Sequence, residues 1–276
     1  MIKWKSIFPR RQVMKVALAQ TNIVWENKSE NKTHAIQYIA QAADLGAQAI
    51  FFPEMSLTGF SMNTKVTAEE DNLTVDSFCK IASKYNIVIG IGWVKKGNIL
   101  AENHYSVINN DGEVISDYCK IHPFSYAGEA EVFQGGNKVS CYKLGEYTWS
   151  TLICYDLRFP EVFQIASQKA DVIVVPANWP KSRAEHWRTL LKARAIENQC
   201  FILGINCVGM IGDIMYNGFT SVYSPDGQCL NELSDEEGII TVELDHTELD
   251  IRKHFPVKQD RRWELYSKIY KDIFNE

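Results

Sequence analysis

Four consecutive branched aliphatic residues, Val172-Ile173-Val174-Val175, leave no polar face for water, so a strand built from them must be covered on both sides. Ala49-Ile50-Phe51-Phe52 makes the same demand in the first half of the chain. Further strands are expected at residues 14–20, 87–94, 147–153 and 201–206. Between them lie stretches of helical spacing. Residues 27–45 carry Ala35, Ile39, Ala42 and Leu45 on one face and stop at Gly46, and residues 75–85 and 183–198 are helical as well. Asp111-Gly112 marks a hairpin turn between residues 105–108 and 113–118. Asp226-Gly227 is expected to join residues 220–224 to residues 239–244. Helices alternating with two sets of strands, with no Pro/Gly/Ser-rich linker, predict an α/β domain in which two sheets pack together under outer helices.

Charge and composition exclude several partners. Lys plus Arg is 29 and Asp plus Glu is 34, so the formal net charge is −5, which gives the chain no electrostatic reason to seek nucleic acid. No uncharged apolar run is long enough to span a membrane. The seven cysteines are odd in number and contain no Cys-x-x-Cys pair, which argues against a disulfide framework or a zinc site and for reduced thiols in the cytoplasm. Residues 1–13, with Lys3, Lys5, Arg10 and Arg11 among Trp4, Ile7 and Phe8, read as a poorly ordered extension, and a membrane or partner anchor is the alternative. In the tail, residues 256–276, Trp263, Tyr266, Tyr270 and Phe274 are spaced by three and four, as in a short helix that packs on something, a partner subunit included.

Three segments set a reactive group where an apolar strand ends. Phe51-Phe52-Pro53-Glu54 delivers a carboxylate, Asp117-Tyr118-Cys119-Lys120 an ammonium and Thr151-Leu152-Ile153-Cys154 a thiol. Singly, each has a plain explanation, because charged residues mark strand ends and a lone cysteine is most often core. Together they make a reaction. A free thiol titrates near about 8.5 and is a minor thiolate at neutral pH. A nearby lysine favours the thiolate, and a nearby glutamate accepts its proton, protonates a leaving amine and then activates water. Lys120, with the backbone N–H of Tyr155, would hold the oxyanion.

Those segments carry a resemblance. Phe52-Pro53-Glu54-Met55 with Thr58-Gly59-Phe60, then Tyr118-Cys119-Lys120-Ile121-His122, then residues 152–160 (Leu-Ile-Cys-Tyr-Asp-Leu-Arg-Phe-Pro) resemble the nitrilase superfamily of carbon–nitrogen hydrolases, over residues 14–255. The resemblance implies Glu54 as general base, Lys120 as oxyanion-stabilising lysine and Cys154 as nucleophile. It also implies an auxiliary glutamate seven residues before a glycine, which is Glu129 ahead of Gly136, with Glu131 as the neighbouring alternative. Ala177-Asn178-Trp179-Pro180, Arg183, His186-Trp187 and residues 193–199 (Ala-Arg-Ala-Ile-Glu-Asn-Gln) resemble the bacterial ω-amidases. These release ammonia from the terminal amide of 2-oxoglutaramate or 2-oxosuccinamate. The implied fold is a four-layer αββα sandwich extended across a homodimer interface, acting on a small amide without cofactor. An amidase for deaminated glutathione or an N-carbamoyl compound is the runner-up, and a non-catalytic ligand-binding member the third reading.

Phe60, Arg158, Asn178 and Trp179 are the candidate substrate-pocket residues. Trp179 and Trp187 are expected as pocket wall or core, and Arg158 either meets a substrate carboxylate or pairs with Glu161 or Asp156. His122 and His186 are expected as packed imidazoles outside the chemistry. Gly90-Ile91-Gly92 lacks the third glycine and acidic partner of a dinucleotide site. No cluster has metal-ligand spacing, so no metal is expected. Glu185, Arg188, Lys192 and Arg194 read as a solvated helix face.

Overall fold

The computed structural model describes residues 13–274, and the extension expected at residues 1–13 lies outside them apart from Val13. The first half of the chain lays down β1 (Val13–Gln20), β2 (Ala49–Phe51), β3 (Val88–Lys95), β4 (Ala101–Ile108), β5 (Val114–Cys119) and the two-residue β6 (Phe133–Gln134). β1, β2 and β3 run parallel, β4 and β5 continue antiparallel, and β6 pairs with β4. The second half adds β7 (Cys141–Leu144), β8 (Tyr147–Thr151), β9 (Val172–Pro176), β10 (Phe201–Ile205), β11 (Val208–Ile211), β12 (Ile214–Asn217), β13 (Thr220–Tyr223), β14 (Cys229–Leu233) and β15 (Gly238–Asp245). Its sheet has the order β14-β13-β10-β9-β8-β7, and β11 and β12 form a separate ribbon.

One expected pairing is corrected. The Asp226-Gly227 turn closes tightly, with Ser224 N–H donating to Gln228 O at 2.9 Å in the return direction, so β13 pairs with the residues that follow at once, β14. β14 (Cys-Leu-Asn-Glu-Leu) is polar because it is an edge strand, and this hid it in the sequence. Residues 239–244 belong instead to β15, which crosses to the other sheet and lies antiparallel to β1.

The layers follow from which faces are apolar. Helices Lys28–Asp44 and Leu73–Tyr85 set Ala35, Ile39, Ala42, Phe78 and Ile81 against Ala17, Ile50 and Ile89 of the first sheet. The other face of that sheet presents Val16, Leu18, Phe51 and Tyr105 to the second sheet, where the Phe51 and Trp149 rings stack at 5.5 Å. Phe163, Trp187 and Leu191, from helices Pro160–Ala166 and Ala184–Asn198, cover the far side. β9 is buried along its whole length, as its sequence requires. The helix expected in the tail forms at Trp263–Phe274 and buries none of its side chains within this chain.

Arg194 departs from the solvated face assigned to it. Its guanidinium is buried, donates to Leu157 O at 3.1 and 2.8 Å and pairs with Glu197 at 3.0 Å. It ties helix Ala184–Asn198 to the turn that carries Cys154.

His104 on β4 is buried between Asp117, 2.8 Å from Nδ1, and Glu102, 2.9 Å from Nε2. Burial alone would lower it, but the Asp117 hydrogen bond and charge, with Cys119 also facing the ring, push its pKa from 6.5 up to about 10. A histidine raised in the folded state contributes fully below pH 6.5, and that contribution drains away as pH rises through about 10. Replacing His104 with Gln is therefore expected to cost about 3 kcal/mol near neutral pH, with the deficit against wild type shrinking toward pH 10. Urea midpoints for both proteins across that range check it, and a pH-independent deficit would refute it.

Candidate active site

The loop after β2 turns sharply under the first sheet. Tyr105 Oη donates to Phe52 O at 2.8 Å, and Phe52 N–H donates to Gly90 O at 3.0 Å. A Cβ on Gly92 would stand 2.5 Å from Met55 N, so this glycine is needed for the close approach of the loop carrying Glu54. The Gly-x-Gly of β3 is thus a packing device. Lys120 leaves the end of β5 with its N–H on Asn103 O at 2.9 Å. Cys154 follows β8 in the left-handed region, φ 44°, which a residue with a Cβ adopts only under local strain.

The structure brings the three side chains together with Glu129. Lys120 Nζ lies 2.8 Å from Glu54 Oε1 and 2.8 Å from Glu129 Oε2, and all three residues are buried. Asn103 Nδ2 donates to the same two carboxylates, at 2.8 Å to Glu54 and 3.1 Å to Glu129. Asn178 N–H donates to Glu54 Oε2 at 3.0 Å. Glu129, not the exposed Glu131, is the residue that meets the lysine. Two carboxylates and one ammonium leave the cluster with a formal charge of −1.

That charge changes the expected state of the thiol. Burial pushes the Cys154 thiol well up, Glu54 beside it adds to the rise, and Lys120 offsets only part. Lys120 itself would be lowered by burial, but Glu129 and Glu54 outweigh this and hold its ammonium above the usual lysine range. Lys120 favours the thiolate, as its chemistry suggested, but it does not outweigh burial and Glu54.

Asp156 locks the turn. It is buried and accepts from Ile153 N–H at 2.9 Å, Tyr118 Oη at 2.8 Å, His122 N–H at 3.0 Å and His122 Nδ1 at 2.7 Å. The Cys154 turn and the Lys120 segment are thereby fastened to one carboxylate. Tyr155 N–H precedes the first bond of this turn, Asp156 N–H to Ile153 O at 2.9 Å, and belongs to its open first residues.

A cavity of about 280 Å³ opens onto Cys154, with Phe60, Tyr155, Arg158, Asn178 and Trp179 in its wall. Asn178 lines it, but its side-chain amide donates to Glu54 O at 2.6 Å and accepts from Cys207 Sγ at 3.3 Å, so it serves the Glu54 loop. Arg158 pairs with neither Glu161 nor Asp156; it stacks 4.9 Å over Trp179 and donates to His186 Nδ1 at 3.2 Å. Trp187 is core. The sequence reading passed over Asn103, whose only signal was an amide at an inward position of a strand. It named Arg183 only within the ω-amidase resemblance and not as a pocket residue, and it passed over the β12 residues Ile214 and Tyr216, which line the cavity from a segment with no motif.

Residues 15–251 match the family described as carbon-nitrogen hydrolase. The chain is 34% identical over 257 residues to the 2-oxoglutaramate amidase of Bacillus subtilis (strain 168), covering 91% of this chain and 98% of that protein. It is 30% identical over 250 residues to the omega-amidase YafV of Escherichia coli (strain K12), covering 90% and 96%. Among solved structures, a mutant of the amidase from Nesterenkonia sp. AN1 superposes with a TM-score of 0.85 at 26% identity, covering 96% of this chain and 99% of that one. That structure shows covalent addition of the acetamide moiety of fluoroacetamide at its active-site cysteine. With a family model spanning residues 15–251 and amidases among its relatives and structural neighbours, the protein belongs to the carbon–nitrogen hydrolases, as an amidase of the nitrilase superfamily.

Proposed function

We propose that the protein is an ω-amidase that hydrolyses the terminal amide of a short 2-oxo acid amide, 2-oxoglutaramate or 2-oxosuccinamate, through a thioester on Cys154. The observation that carries this is a thiol at the floor of a small cavity beside a buried carboxylate–ammonium–carboxylate cluster. The similarity to enzymes named for 2-oxoglutaramate supports the substrate class.

Because the thiol rests protonated, attack and proton transfer go together. Cys154 Sγ bonds to the amide carbon while its proton passes to Glu54. Lys120 Nζ and Tyr155 N–H receive the negative charge that develops on the amide oxygen. Glu54 returns the proton to the nitrogen, the C–N bond breaks and ammonia leaves an acyl thioester. Water then attacks that carbon, giving its proton to Glu54. Collapse frees the carboxylic acid, and the sulfur regains its proton. Glu129 does not exchange protons in this scheme; it holds Lys120 in place by accepting from Nζ at 3.1 and 2.8 Å.

Ammonia release tests the reading, with 2-oxoglutaramate and 2-oxosuccinamate run beside glutamine and an N-carbamoyl amino acid. Turnover of the oxo acid amides at least about 100-fold above glutamine is expected, the scale of one lost charge-assisted contact on a bound ligand. Turnover confined to the N-carbamoyl compound would move the substrate to that class. Release from none of the four would reject the ω-amidase assignment.

A further inference from the structure

A second sulfur lies among reactive groups, outside the cluster of Glu54, Lys120 and Cys154. Cys200 sits between helix Ala184–Asn198 and β10 and is fully buried. Its Sγ is 3.5 Å from Lys258 Nζ and 3.4 Å from Arg252 Nη2, and both nitrogens donate to it. Among the described residues no other thiol has a lysine or arginine nitrogen within hydrogen-bond distance. Both cations come from the segment that follows β15, Arg252 lying 52 residues downstream of the cysteine and Lys258 lying 58. On its other side the sulfur donates to Ala170 O at 3.1 Å and Asn198 O at 3.2 Å, which fix its position.

The lysine is held against that sulfur with no carboxylate of its own. Its Nζ donates to Ser167 O at 2.6 Å and to Cys200, and among the described residues it forms no ion pair. The carboxylate beside it, Asp171, is taken by Arg252 at 2.6 Å. Burial lowers the Lys258 ammonium first and Arg252 adds to the fall, while Cys200 and Asp171 pull the other way without restoring it. A lowered lysine offers more free amine, which is its nucleophilic form. Thiolate is the form of a cysteine that attacks a peroxide, and neighbouring cations favour it. Lys258 is only half-buried, so the site reaches the surface through the lysine itself.

We propose that Cys200 and Lys258 form an oxidative modification site, at which hydrogen peroxide joins the two side chains through a sulfur–nitrogen bond. The inference stands apart from the amidase reading, since neither residue lines the cavity at Cys154. First the Cys200 sulfur attacks one peroxide oxygen, the O–O bond breaks, and the leaving oxygen takes the thiol proton as water. This leaves a sulfenic acid, which condenses with a neighbouring nitrogen to a sulfenamide. In that second step Lys258 Nζ attacks the sulfur, the S–O bond breaks, and the hydroxyl departs as water with one proton from the amine. Sulfur loses two electrons and the peroxide gains them, so one peroxide makes one link. Two molecules of an external thiol reverse it, returning the cysteine and the amine as they pair into a disulfide. The unbranched lysine stem closes the 3.5 Å gap ahead of a second peroxide, which stops the sulfur short of sulfinic acid. The link also ties the segment leading to helix Trp263–Phe274 onto the start of β10.

The test treats the folded protein with hydrogen peroxide, raised until the exposed Cys141 is oxidised as an internal gauge. Catalase stops the reaction, iodoacetamide caps the remaining thiols, and the digest is made without reductant for mass spectrometry. The expected product is the Cys200 peptide joined to the Lys258 peptide, two hydrogens lighter than their sum and absent after dithiothreitol. Lys258→Arg keeps the cation but not the amine. It is expected to lose the link and to leave Cys200 as sulfinic or sulfonic acid, which dithiothreitol does not restore. A wild-type Cys200 that stays a free thiol while Cys141 is oxidised would overturn the site. So would Cys200 sulfinic acid with no linked peptide, or a Lys258→Arg protein whose Cys200 dithiothreitol recovers as fully as that of wild type.

Discussion

Replacing Cys154 with alanine is expected to lower amide hydrolysis by about 10⁴-fold or more, with the thermal midpoint moved by less than about 3 °C. The two halves of that expectation have separate causes. Without sulfur there is no covalent route, and the remaining oxyanion donors can accelerate only direct attack by water. The fold loses little because the thiol faces a cavity on one side and a carboxylate on the other, so deleting one atom opens no sealed void. Burial and Glu54 both disfavour its ionisation, so the thiol rests neutral and alanine removes no charge from the cluster. Ammonia release and a melting curve on the same preparation check both halves. A variant retaining a tenth of the wild-type rate would show that another group is the nucleophile.

Lys120→Met is expected to abolish turnover and also to cost about 3–5 kcal/mol of stability near neutral pH. Methionine fills nearly the same volume, so packing is not the cause. Glu54 and Glu129 now share Asn103 as a donor but have no cation between them, and two buried carboxylates cannot both stay ionised cheaply. Each is pushed above its unfolded value in the variant, so protonation favours the folded state and the deficit narrows as pH falls from 7 toward 5. Adding Glu129→Gln to Lys120→Met removes one of the stranded charges and should recover a large part of the lost stability without recovering activity. Urea unfolding of the three proteins at two pH values reads this directly. A Lys120→Met protein as stable as wild type at pH 7 would mean that the lysine's charge is not what holds the carboxylates.

The parts of this molecule that were legible in its sequence are those governed by short-range pattern. Strand ends were visible as polar residues after apolar runs, and Glu54, Lys120 and Cys154 each sit at such an end. The spacing from Glu129 to Gly136 left two glutamates in contention, and only the tertiary contact with Lys120 separates them. Asn103 and Tyr216 could not be reached that way, because each is defined by what another element brings to it. β14 was missed for a different reason: an edge strand can be polar, so it gives no apolar signal. The state of the Cys154 thiol turns on burial first and Glu54 second, which together outweigh the lysine beside it, and burial is not written in a local motif.

The return of β15 to β1 has a consequence for how the molecule is made. Val13 lies opposite Asp245, and the eight paired residues of β1 wait for partners more than two hundred positions downstream. On a ribosome the first of the described strands to emerge is thus among the last to be completed, its edge open until β15 has been synthesised. A chain that stops short of residue 238 therefore carries an exposed β1 edge, open to pairing with another chain.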